Sequence, residues 1–390
     1  MKLEDFFLSE KFGFLLPDPL HILPEYFQQW NDLAQNLSML IQRKELRAIV
    51  DEMPVLDYTI LKGYRQYTLA HLQLSMITAG YIILDGFNNV PDVLPESLAV
   101  PLYRISQELG IPPIFCHPDG GLSNWKLTDR NSPPDLENLR CIYNFPGGMD
   151  SNYFFMIVVR TELDFAPAIK CIIDGMEASD KDDVETLIQN LSMIRQAVLN
   201  MKNTLKNLHK LVSPEVFYDI LRPYFWGWGY DVAPGSPYPD GLIFEGISDK
   251  RIKLRGSSAA QSSTLQCLDA AFGIRHQPSD REFMLEMRNY LPLAHKKFIE
   301  EIESKSNIRN YVLESGHLIL KKTFDEVLSA IADFRSYHIQ IVTKYIIIMS
   351  RRDIQTDHTV VMAGTSGSNL LPFLKRLRQT TNDEKVASDN

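Results

Sequence analysis

The chain has 390 residues, 45% of them hydrophobic and 23% charged. That is enough for one large or two ordinary domains with a sizeable core, and too apolar for a disordered chain. A net charge of −9 argues against a nucleic-acid partner or an anionic membrane surface. The four cysteines, Cys116, Cys141, Cys171 and Cys267, form no CxxC pair, so zinc and iron–sulfur sites have no support.

The first residues, MKLEDFFLSE, lack the basic start and apolar run of a signal peptide. No stretch approaches about 18 uninterrupted apolar residues, so no membrane span is expected. Free thiols in a reducing cytoplasm are the simplest setting. Pro17, Pro19 and Pro24 delay the first ordered element to about Glu25. Helical spacing then runs to about Met53, again from Tyr67 to Ala79, and over 97–110, where Gly110 ends the helix. IPPIFCHPDGGLSNW is predicted as an extended segment entering a turn at Asp119-Gly120-Gly121, and KLTDRNSPPDLENL as a polar surface loop. FPGGMDSN breaks the chain near 146. We place a boundary there, between a small mainly helical domain (1–146) and a large helical one (147–390).

YFFMIVVRTELDFAPAIKCI is long enough to favour a helix, kinked near Pro167. Val184 to Val212 is amphipathic, and Ser213-Pro214 opens another helix, with serine as its N-cap. GLIFEGI has the look of a short strand. A helix is predicted from about Thr264 to Phe272, a long one from Ser279 to Ser304 bent at Pro292, and a last one at LLPFLKRLR before a disordered tail. The sum is an all-α protein.

The richest stretch is Leu320 to Ser350, free of Pro and Gly. Its apolar residues Phe324, Val327, Leu328, Ile331, Phe334, Ile341, Val342 and Tyr345 recur at helical spacing. His338 falls on that stripe, with Arg335 one turn earlier. A buried imidazole needs a partner. It is either a core histidine held by a carbonyl or a water, or a metal ligand, with haem iron as the fitting metal and Arg335 placed to meet a propionate. Hydrolytic and nucleotide motifs are missing: there is no GxSxG, HExxH, Walker A or GxGxxG, and GTSGSN lacks the lysine of a phosphate loop.

RSYHIQIVTKYI (Arg335 to Ile346) resembles the proximal-histidine segment of the indoleamine 2,3-dioxygenase family. IPPIF…SNWK, FPGG…FF, LRPYFWGW, DGLIFEG, GSSAAQSS…QCLDAAFGI, MRNYLPLAHKKF and GTSGSN–FLKRLR stand in that family's order at similar spacing. Together they cover about Ser97 to Arg378. The resemblance implies a haem b enzyme with its cofactor held between the two domains and His338 as axial ligand. It implies that Arg222 binds the carboxylate of an amino-acid substrate, although by itself Arg222 reads better as a surface or helix-end arginine. It assigns Phe217 and Phe154 to the walls around an indole, where residue type alone reads as core. Ser258 and Ala259 become the small segment over the distal haem face, Ser258 as the catalytic hydroxyl near dioxygen. Gly364 and Thr365 become the loop that closes over the substrate. Trp228 is expected near the haem or the domain interface.

The chain also departs from the family pattern. Where the animal enzymes carry a tyrosine and a cysteine it has His117 and Gly120, and a distal serine is replaced by Val158. His117 either accepts an indole N–H, as the distal histidine of the related tryptophan 2,3-dioxygenases does, or varies a wall position. The activity implied is insertion of dioxygen across the indole C2–C3 bond of L-tryptophan, giving N-formylkynurenine. Its partners are tryptophan or a related indole, dioxygen and a haem reductant, in a cytoplasmic monomer. Another indole substrate, or a non-enzymatic oxygen-binding module on the same fold, are the alternatives.

Overall fold

The computed structural model describes residues 1–87, 89–229, 240–353 and 364–386. The protein is all-α, as predicted. Its centre is a layer of long helices. Gly148–Asp180 packs along Val184–Leu205, which packs on Leu318–Val342, and Leu370–Asp383 covers the other side of that last helix. The stripe read from the sequence is what Leu318–Val342 buries: Phe324, Val327 and Leu328 have no exposed surface. Each such side chain contributes about 1.5–3 kcal/mol.

Local chemistry sets the helix ends. Asp183 caps Val184–Leu205 by accepting from the Thr186 amide at 3.1 Å. Gly110 closes Glu96–Leu109 at φ 69°, a conformation that favours glycine. The Gly148–Asp180 helix continues through Pro167.

The N-terminal part carries the helices Gln28–Gln35, Leu37–Gln42, Leu46–Asp51 and Gly63–Ile83. The predicted strand exists as Leu242–Phe244. It pairs in parallel with Val93–Leu94 and antiparallel with Ser248–Ile252, joining the N-terminal part to the rest of the chain. One continuous hydrophobic core runs through both parts of the chain.

Several elements differ from expectation. An ordered turn, Leu3–Phe6, precedes Glu25 and buries Leu3. The polar loop contains a short ladder, Lys126–Leu127 with Leu139–Arg140. The segment at 119–121 is a wide helical turn, Asp119–Ser123, rather than an extended approach to a tight one. Its glycines admit close packing: a Cβ on Gly120 would sit 2.5 Å from the Phe155 ring. Pro292, without an N–H, stops the chain from forming one bent helix. Pro278–Met287 and Leu293–Lys305 are separate, with a 3₁₀ turn at Arg288–Tyr290.

The His338 helix widens into a π turn at Thr343–Ile347 before Ile348–Asp353. That turn faces Tyr345 inward, where its hydroxyl meets the carbonyls of Leu208 and Val212, each at 2.9 Å. The last helix runs on to Asp383, and the expected disorder at 387–390 lies outside the described residues, as does Ala363 of AGTSGSN. No helix among the described residues is long and apolar enough to cross a membrane.

Candidate active site

A cavity of about 260 Å3 lies against the inner face of the His338 helix. Its walls come from both halves of the chain. His117, Gly120 and Gly121 come from the wide turn and its approach, and Phe154, Val158 and Glu162 from Gly148–Asp180. Phe217, Arg222 and Phe225 come from the segment after Ser213. Ser257, Ser258, Ala259, Arg335, His338, Gly364 and Thr365 complete the lining. Every site residue predicted from the sequence therefore reaches the same cavity. Trp228 does not: it bridges to Leu254 and packs against Phe244 on the small sheet, 5.7 Å between ring centroids.

On the helix side, the part of His338 that remains accessible faces this interior space, and its ring makes no hydrogen bond among the described residues. Burial pushes its pKa down to about 4, so the imidazole is neutral and its lone pair available. Phe334, Ile341 and Val342 surround it.

Arg335 is more committed than expected. It donates to Asp269 at 2.5 Å, to the Leu377 carbonyl at 3.0 Å and to the Thr381 hydroxyl. Asp269 also meets His276 at 2.8 Å. Burial works against the Asp269 carboxylate, yet Arg335 and His276 together hold its pKa below the usual range.

Arg222 is buried, with Trp226 and Tyr218 rings 4.7 and 5.3 Å from its guanidinium carbon. Burial pushes its pKa down to about 10, which leaves it charged at neutral pH. Phe154 and Phe217 make an aromatic wall, centroids 5.0 Å apart, with Phe225 behind Phe154 at 5.6 Å. Thr365 binds the distal loop: its hydroxyl donates to Ser257 O at 2.6 Å, and its carbonyl accepts from Gly227 and Gly256. Ser258 caps its own turn, its hydroxyl accepting from the Ala260 amide at 3.3 Å.

Two residues that sequence reasoning missed organise the distal wall. Gln261, fully buried, accepts from the amides of both His117 (3.1 Å) and Ser258 (3.3 Å) and so ties the two loops together. Glu162 is a buried carboxylate on the cavity wall, accepting from the hydroxyls of Ser262 and Thr264. A signal for Glu162 was present: it follows Phe154 and Val158 at steps of four on one helical face.

Among the described residues no three His, Cys, Asp or Glu side chains cluster to cage a bare ion. A single unpartnered histidine over a large apolar cavity fits a metal that brings its own planar ligands. The indoleamine 2,3-dioxygenase family profile matches residues 2–384. The chain belongs to the indoleamine 2,3-dioxygenase family. It is 37% identical to indoleamine 2,3-dioxygenase 2 of Homo sapiens, covering 98% of this chain and 95% of that one. It is 36% identical to indoleamine 2,3-dioxygenase 1 of Rattus norvegicus, covering 97% and 94%. It is also 38% identical to a protein of Haliotis madaka named myoglobin, covering 99% of each. Members of the indoleamine 2,3-dioxygenase family are haem-dependent, and the cofactor here is haem b with its iron.

Proposed function

We propose that the protein is a haem dioxygenase that inserts both oxygen atoms across the indole C2–C3 bond of L-tryptophan, giving N-formylkynurenine. One observation carries this reading above the others: a neutral, unpartnered imidazole and a buried guanidinium line the same apolar cavity. His338 would hold the iron. Arg335, set by Asp269, would present its remaining donor capacity to a propionate. When bound, haem supplies the oxygen chemistry.

The chain's own residues bind, orient and exclude water. Arg222 receives the substrate carboxylate. Thr365, whose hydroxyl proton is directed to Ser257, is left as an acceptor suited to the substrate ammonium. Phe154 and Phe217 frame the ring. Ser258 and Ala259 line the distal face, and His117 faces the indole edge. With Val158 in the wall, a side-chain hydroxyl at that position has no part in the chemistry.

The division at residue 146 belongs to the same proposal, with cavity walls contributed from both sides of it. So do a haem reductant, a monomeric state and a cytoplasmic setting; four buried, unpaired cysteines suit a reducing compartment.

The test is ferrous protein with oxygen and L-tryptophan, followed by the absorbance of N-formylkynurenine. Product only with other indoles would move the substrate assignment. A second reading, a non-enzymatic oxygen-binding module, is favoured by the relatives named myoglobin, at 38% and 35% identity. Intact haem with no product from any indole would support it and overturn the first.

A further inference from the structure

Glu162 poses an accounting question that the proposed reaction does not use. Its side chain is buried, and both hydroxyls within reach, on Ser262 and Thr264, donate to it. One buried ring nitrogen nearby is unpaired: His117 Nε2 has no hydrogen-bond partner and lies 3.6 Å from Glu162 Oε1. His117 Nδ1, by contrast, is not among the buried unpartnered atoms, and the ring lines the cavity. The imidazole thus has one nitrogen shut in beside a carboxylate and one left accessible.

Carboxylates accept, and a neutral imidazole carries its single proton on the nitrogen whose neighbour accepts. Its backbone is fixed as well, since the His117 amide is held by Gln261. We propose that Glu162 is a positioning residue that acts through His117. It holds the ring as the Nε2–H tautomer, so that Nδ1 presents a lone pair to a hydrogen-bond donor on the bound ligand, an indole N–H. This rests on the reading above, in which His117 faces the substrate. Ser262 and Thr264 keep the Glu162 carboxylate turned to this task. Ser262 also caps the next helix, its Oγ accepting from the Leu265 amide.

The test uses the haem-loaded protein and equilibrium binding, read from the visible spectrum, of L-tryptophan and of its N1-methyl derivative, which lacks the donor. Wild type should prefer L-tryptophan by about five- to tenfold, the worth of one hydrogen bond. Glu162→Gln should cut that preference to about twofold while leaving affinity for the N1-methyl ligand and haem content unchanged. His117→Ala should abolish it. A merely structural glutamate would weaken both ligands together.

If His117→Ala removes the preference and Glu162→Gln leaves it at the wild-type value, the positioning role is overturned and the reaction assignment stands. If wild type binds neither ligand, the substrate reading falls and this inference with it. Should Glu162→Gln fail to fold, the unmodified protein still decides. Nitrogen-15 spectra of histidine in the diamagnetic, carbon monoxide-bound ferrous form, assigned by His117→Ala, should place the proton on Nε2. A proton on Nδ1 would overturn the proposal.

Discussion

Replacing Arg222 with methionine should cost substrate binding far more than it costs stability. Arg222 is 2% exposed, and burial depresses its pKa to about 10. That depression corresponds to roughly 3 kcal/mol by which the folded chain disfavours the charged form. The Trp226 and Tyr218 rings return about 0.5–2 kcal/mol each. Methionine keeps much of the packing and removes the buried charge, so the haem-loaded protein should stay within about 2 kcal/mol of wild type by urea denaturation. Tryptophan would lose a charge-assisted, two-pronged contact of about 2–4 kcal/mol, which raises KM roughly 30- to 1000-fold. An arginine present only for structure would give the reverse pattern: about 3 kcal/mol or more of lost stability and an unchanged KM. That result would refute the assignment of Arg222.

Three other outcomes are expected. His338→Ala should purify with little haem, measured as Soret absorbance per polypeptide; a full band with wild-type turnover would remove His338 as ligand. Gly120→Ala should cost about 1–3 kcal/mol, because its Cβ would meet Phe155 ring atoms at 2.5 and 2.7 Å and that ring is itself packed on Phe115 and Phe225. Gly316→Ala, with nothing within 4 Å, is the control, and equal thermal shifts would contradict the packing argument. Part of the acid-side pH dependence comes from His295, which burial depresses from 6.5 to about 3. The folded chain keeps this ring neutral while the unfolded chain takes up a proton below 6.5. Its contribution is therefore complete above 6.5 and is lost at about 1.4 kcal/mol per pH unit as pH falls toward 3. In denaturation series between pH 7 and 5, His295→Gln should show a slope smaller by one proton; an unchanged slope would assign the loss elsewhere.

What the sequence made legible was local. The stripe around His338, the Gly110 cap and the helix start at Val184 each depend on residues within a turn or two of one another. Pro292 was visible as a breaker, but whether it bends or ends a helix depended on what the flanking segments pack against. The polar wiring of the site was not legible, because its partners are far apart in the chain. His117 and Gln261 are separated by 144 residues, Glu162 and Thr264 by 102, and Asp269 and Arg335 by 66. No periodicity encodes such pairs. Tyr345 shows the same limit: it lay on the helical stripe, yet the π turn that carries it inward answers to carbonyls at Leu208 and Val212, more than a hundred residues earlier.

The two sides of the cavity are built differently, and the difference follows from what each must hold. His338 and Arg335 stand on a continuous helix packed between two others, so a fixed ligand is met by a rigid element. On the proposed reading the amino-acid end is made from loops that bond across to each other. Thr365 binds Ser257, Gly256 and Gly227, and Arg255 donates to the Ser366 carbonyl at 2.8 Å. With each such bond worth about 1 kcal/mol net, these four contribute about 4 kcal/mol to holding the loops together. Gly256 is what permits this closeness, since a Cβ there would fall 2.0 Å from the Phe225 carbonyl oxygen. A side chain at position 256 would therefore loosen the substrate end selectively, raising KM while His338 and the haem remained in place.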